Sequence, residues 1–191
     1  MTELPPWRPL LRAARQREGR SPAARWLQLA SVAADGSPRV RTLVFRGWAD
    51  ASVLELLTDG RSAKAVELRR QPAVELCWLL VRARSQFRLR GRLLEADAAA
   101  DRAARLRHWQ GLSPGGRALW AWPAPGAPLE PGPCCAASFP AALDDATPLP
   151  RHFQLLLIQL QQVELLELGG HPHRRRRWRL EQGWREEDLN P

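Results

Sequence analysis

Hydrophobic positions change period several times along the chain, and each change marks an element. Trp7, Leu10, Leu11 and Ala14 recur at helical spacing and predict an amphipathic helix over 7–18, which Gly19-Arg20-Ser21-Pro22 stops. The period then shortens. Residues 26–33 and 39–48 read as strands around Asp35-Gly36-Ser37-Pro38, and Asp-Gly between two apolar runs is a hairpin signal. A third strand over 52–58 ends in Asp59-Gly60 and leads into a helix over 62–70, closed by Pro72. Residues 74–81 and 86–95 form a second strand pair. A helix is predicted over 97–110, with a short continuation over 113–122.

Residues 123–150 are rich in Pro, Gly and Ala and carry no period. They predict an irregular connection, long for a compact domain. A long strand follows over 153–168, turned by Gly169-Gly170. Segments 174–180 and 184–189 form a last hairpin about Gln182-Gly183. Strands dominate and come in hairpins. The expectation is a mainly β fold: an antiparallel barrel with flanking helices, built as one domain over 1–191.

The chain has 191 residues, 45% hydrophobic and 26% charged, which suits a globular protein and not a disordered one. No apolar run approaches the roughly 18 residues of a membrane span, and the N-terminus lacks a signal-peptide core, so a cytoplasmic protein is expected. Cys134-Cys135 and the distant Cys77 make neither a disulfide framework nor a metal spacing. The net charge is +9, which points to an anionic partner or to a basic surface alone. Lys64 is the single lysine among 28 arginines.

Four stretches could carry chemistry. In Arg41-Thr42-Leu43-Val44-Phe45-Arg46, strand alternation places Arg41 on the row of Leu43 and Phe45. There it either grips a phosphate from the barrel rim or snorkels to water. In Thr58-Asp59-Gly60-Arg61-Ser62-Ala63-Lys64 a strand runs into a helix start. Free N–H groups, a serine and a lysine there suit a phosphate, while Asp59 or Ser62 as a plain helix cap is the alternative. Gln86 opens a strand, where it either bonds a planar heterocycle or faces solvent. Arg174-Arg175-Arg176-Arg177-Trp178, with Trp184, is a conceivable nucleic-acid patch or a solvated strand. His171 and His173 lack further ligands at metal spacing, so no metal is expected.

Taken in order, these residues resemble the pyridoxamine-5′-phosphate-oxidase-like family of FMN-binding split barrels. The hairpin before Arg41-Thr42-Leu43 is similar to the family's opening. Thr58 through Lys64 resembles its Thr-x-x-x-Ser-x-Lys turn, and Gln86 through Gly91 its Gln-(x)4-Gly strand. Pro148-Leu149-Pro150, Gln162-Val163-Glu164, Gly169-Gly170 and the Arg176…Trp184…Pro191 ending resemble its C-terminal section. The arginine run is closer to a bacterial, largely cyanobacterial branch of FMN binders.

The resemblance implies a split β-barrel homodimer with FMN at the subunit interface. Arg41, Ser62 and Lys64 would hold the phosphate. Thr42, Leu43 and Thr58 would lie along the flavin edge, Gln86 would reach the ring from the partner subunit, and Arg176 would lie near it. Departures fall on the vitamin-substrate side. Ala63 stands beside the lysine, Leu166 replaces an aromatic, and Phe153-Gln154-Leu155 replaces Trp-Gly-Gly. His108–Arg117 lacks the Tyr and Arg group, and Pro172-His173-Arg174 replaces Arg-x-His. The implied activity is that of an FMN-dependent oxidoreductase on an unidentified small molecule, not pyridoxamine-phosphate oxidation. A non-catalytic flavin or haem binder is the alternative, with a nucleic-acid binder ranked below it. The sequence singles out no general acid or base.

Overall fold

The computed structural model describes residues 3–95, 98–129 and 139–191. Helix α1 (Trp7–Glu18) leads through a 3-10 turn (Pro22–Ala24) into β1 (Trp26–Val32), β2 (Pro38–Trp48) and β3 (Val53–Asp59). Helix α2 (Ala63–Arg70) precedes β4 (Ala73–Leu80) and β5 (Ser85–Leu93). Helices α3 (Ala98–Gln110) and α4 (Pro114–Ala118) come next, then β6 (Phe153–Glu167), β7 (Arg174–Arg179) and β8 (Glu186–Leu189).

All pairings are antiparallel, in the order β3-β2-β1-β4-β5-β6-β7-β8, and β3 also pairs with β6. That pairing closes six strands into the expected barrel. Strand β6 shares one edge between two partners: β3 takes residues 153–159 and β7 takes 162–167. The barrel is therefore split along β6, with β7 and β8 continuing the sheet beyond the closed part. Gly91 makes this possible, since a Cβ there would lie 2.3 Å from the Gln159 carbonyl oxygen, at a register shift between β5 and β6.

Alternation sorts the side chains. Leu27, Leu29, Leu54, Leu56, Leu76, Phe87, Leu89 and Val163 fill the barrel. Trp7, Leu11 and Ala14 of α1 are buried against this core, as the helical spacing predicts. The Trp7 ring packs 5.6 Å from Trp48 and 5.5 Å from Trp184. A second cluster (Leu57, Trp109, Phe153 and Leu155) fills the space under α3.

Two expectations change. The last hairpin is not a plain two-strand turn: Leu180–Gln182 form a 3-10 turn, Gly183 and Trp184 have φ of 61° and 62°, and β8 starts only at Glu186. A left-handed tryptophan costs on the order of 1–2 kcal/mol, and burial of its indole against Trp7 offsets that cost. The connection over 123–150 has no helix or strand in its described parts. Residues 139–152 are nonetheless pinned: the Trp109 indole donates to the Thr147 carbonyl at 2.9 Å, and Arg117 pairs with Asp145. Residues 130–138, including Cys134 and Cys135, lie outside the described residues.

Candidate functional site

The turn from β3 into α2 is held from both sides. The Asp59 carboxylate accepts the Arg61 backbone N–H at 2.8 Å and pairs with its guanidinium at 2.6 Å. The Gly60 N–H donates to the His152 carbonyl at 2.7 Å, and a Cβ on Gly60 would come within 2.6 Å of the Gln154 side chain. Ser62 occupies the N-cap position, but its hydroxyl donates to the Asp59 carbonyl at 2.7 Å and caps nothing. The first N–H groups of α2 thus receive no side-chain cap, which leaves donors and the positive end of the helix dipole at this turn.

Lys64 sits in the first turn of α2. Its ammonium donates to the hydroxyl of Thr58, which is only 2% exposed. Burial, and then the charge of Arg41, lower the Lys64 ammonium to about 8. A partly buried ammonium whose bonded partner is a neutral hydroxyl is undercompensated, and an anion corrects that.

Arg41 faces the barrel side of β2, as expected, at the rim. It is already engaged. It donates to the Ser31 hydroxyl and pairs with the Glu67 carboxylate at 2.7 Å, while Ser31 donates to the same carboxylate oxygen at 2.5 Å. The Ser31 bond first, and then Arg41, hold the Glu67 carboxyl below its usual range. The cluster therefore combines Arg41, Lys64, three hydroxyls and an uncapped helix start, with the carboxylates of Glu67 and Asp59 each paired to an arginine. These groups fit a phosphate monoester, which takes guanidinium, ammonium and N–H donors together. Ser31 and Glu67 were not among the sequence candidates. A signal for Glu67 existed: it follows Lys64 by three residues and so shares its helix face.

The other candidates lie elsewhere. Thr42 is exposed on the outer face of the sheet, and Leu43 packs partly buried against the core. Gln86 lies on the outer face opposite Leu166, and Arg176 lies opposite Leu165 on the core side of β7. Thr58 pairs with Gln154. In the sheet, Arg41 pairs with Leu29, Leu29 with Leu76 and Leu76 with Leu89, three residues from Gln86. What separates Arg41 from Gln86 is the face of the sheet, since Arg41 lies on the barrel side and Gln86 on the outer side.

Arg176 is 8% exposed, pairs with Glu167 at 2.9 Å and Glu186 at 3.4 Å, and keeps its Nε buried without a partner. Its neighbours are paired as well: Arg174 with Glu186 and Asp188, Arg175 with Glu164, and Arg177 with Glu187. Trp178 is fully buried and Trp184 nearly so. The stacking surface imagined for a nucleic acid is therefore absent, because both indoles serve the core and the four guanidinium groups have carboxylate partners.

The sequence also missed a carboxylate–imidazole pair. Glu55, buried on β3, accepts from Arg107 at 2.6 Å and lies 3.1 Å from His108 Nε2. A Cβ on Gly47 would meet the Glu55 carboxylate at 2.9 Å, so this glycine makes room for it. The pair lines a cleft of about 470 Å³ with Arg46, Trp48 and Asp101. Burial above all lowers the His108 imidazole, against the opposing pull of Glu55. With Nε2–H directed at the carboxylate, Nδ1 is left to accept a proton. Glu55 and His108 are 53 residues apart, and no spacing rule links them.

Comparison with known proteins identifies the family. The family model described as pyridoxamine 5′-phosphate oxidase, FMN-binding domain, matches residues 4–96. The pyridoxine/pyridoxamine 5′-phosphate oxidase 2 of Arabidopsis thaliana is 32% identical over 173 residues, covering 87% of this chain and 85% of that protein. A crystal structure of a pyridoxamine 5′-phosphate oxidase-related, FMN-binding protein from Nostoc punctiforme superposes with a TM-score of 0.88 at 39% identity, covering 100% of both chains. PhzG from Burkholderia lata shares the fold, with a TM-score of 0.82 at 21% identity, covering 96% of this chain and 89% of that one. The chain belongs to the pyridoxamine 5′-phosphate oxidase-like family of FMN-binding split barrels.

Proposed function

We propose that the protein is an FMN-dependent oxidoreductase acting, as a homodimer, on a small molecule other than pyridoxamine 5′-phosphate. The observation that carries this reading is the undercompensated Lys64 beside Arg41 at an uncapped helix start. In it, Lys64, Arg41 and the Ser62 turn hold the FMN phosphate. Thr58 orients the ammonium, and Ser31 with Glu67 orients the guanidinium. Thr42 and Leu43 lie along the flavin edge, and Gln86 and Arg176 of the second subunit approach its ring. Bound FMN supplies the electron-transfer chemistry, and the chain supplies binding, orientation and local charge.

Two features support the dimer. Gln86 leaves the outer face of the sheet while Arg41 leaves the barrel face, which favours a Gln86 supplied by a second copy packed on that outer face. The outer face of β1, β2 and β4 also exposes Trp26 (52%), Val40 (67%) and Leu79 (43%), next to Thr42 and Gln86, and such a patch marks an interaction surface. The departures on the vitamin-substrate side support a different substrate.

A flavin-fluorescence titration tests the reading. Saturable binding of one FMN per chain is expected, with no turnover of pyridoxamine 5′-phosphate by the loaded protein. A colourless protein that leaves FMN fluorescence unchanged would overturn it.

A further inference from the structure

Helix α1 carries Arg8, Arg12 and Arg15 at i, i+4 and i+7, on one face. They line a groove of about 540 Å³ whose other walls include Leu4, Leu11 and Trp48. Arg8 and Arg15 are held firmly. Arg8 donates to the Ala51 carbonyl at 2.6 Å and lies 3.8 Å above the Trp48 ring. Arg15 donates to the Ala24 carbonyl at 2.8 Å and lies 4.2 Å over Phe45. None of the three has a carboxylate within ion-pair distance among the described residues, unlike the arginines of β7. Burial and a neighbouring cation lower both Arg8 and Arg15, and at Arg8 they outweigh the more distant Asp50. Three cations, two of them fixed, therefore stand in an apolar groove without a paired carboxylate. The volume suits one small organic molecule.

We propose that this groove binds a small anion whose acidic oxygens sit on an apolar ring system. The ring lies against Trp48, Leu4 and Leu11, and the oxygens meet the free N–H donors of Arg8 and Arg12. The site is distinct from the Lys64 cluster, since Trp48 lies seven residues beyond Arg41 along β2.

The probe is 8-anilinonaphthalene-1-sulfonate, titrated calorimetrically into the full chain with and without saturating FMN. One site per chain is expected, indifferent to FMN and weakened by salt. Arg12→Glu, at an exposed position, should lower affinity about tenfold, and Arg8→Gln about fivefold, the scale for removing charge-assisted hydrogen bonds. Circular dichroism controls for folding of each variant. No binding, unchanged affinity in both folded variants, or displacement by FMN would each overturn the proposal. The FMN titration alone decides the cofactor reading, so the two stand or fall separately.

Discussion

The ammonium of Lys64 donates to the buried hydroxyl of Thr58 and has no carboxylate within ion-pair distance among the described residues. This pairing is favourable for capturing an anion and unfavourable for the unliganded fold. Lys64→Ala should therefore weaken FMN binding by about 1–3 kcal/mol. The same change should leave the thermal stability of the FMN-free protein equal or higher. Fluorescence titration and thermal melts of both proteins check the two signs together. A variant that loses stability while keeping FMN affinity would assign Lys64 to the core alone.

The Lys64 proton gives a pH dependence of defined sign. The unliganded fold releases it at about pH 8, against roughly 10.4 in an unfolded chain. Between those values the unfolded chain binds more protons, so stability of the unliganded protein should rise with pH in that window. A phosphate prefers the charged ammonium, so FMN affinity should be full below about pH 8 and decline above it. Lys64→Arg should flatten that decline. FMN titrations from about pH 6.5 to about 9.5, bracketing the lowered Lys64 value, provide the measurement.

The outer-face position of Gln86, opposite to the barrel face of Arg41, predicts that dimerisation and FMN binding are linked. Val40→Asp places a charge on the exposed outer face of β2 without touching the Lys64 cluster. It should yield a folded monomer by light scattering. FMN affinity should fall at least about tenfold, the scale of the hydrogen bonds that the second subunit supplies through Gln86 and Arg176. Lys64→Ala should remain dimeric. A Val40→Asp monomer that binds FMN normally would place the whole site in one chain.

Gly91 is a stability prediction. Gly91→Ala directs its Cβ to within 2.3 Å of the Gln159 carbonyl oxygen, where backbone must move and not a side chain. A cost of about 1–3 kcal/mol follows from such overpacking. Gly115→Ala, whose Cβ would meet its nearest atom at 3.5 Å, is the control and should change little. Chemical denaturation of both variants decides it.

Much of this protein is legible in the linear chain because it is encoded locally. The helix of Trp7, Leu11 and Ala14, the Asp35-Gly36 hairpin and the run from Thr58 to Lys64 each depend on neighbours a few residues apart. Period and turn chemistry fix such elements before any long-range pairing forms. The ordered motifs also carried the family and its cofactor. What only the tertiary structure decided involves residues far apart in sequence. Barrel closure sets Ser31 and Arg41 against Glu67 on α2, and α3 folds His108 over Glu55. It also buries Trp178 and Trp184, which turns an apparent stacking surface into core. Strand register and barrel closure choose these partners, and neither is written in the spacing of the residues that meet.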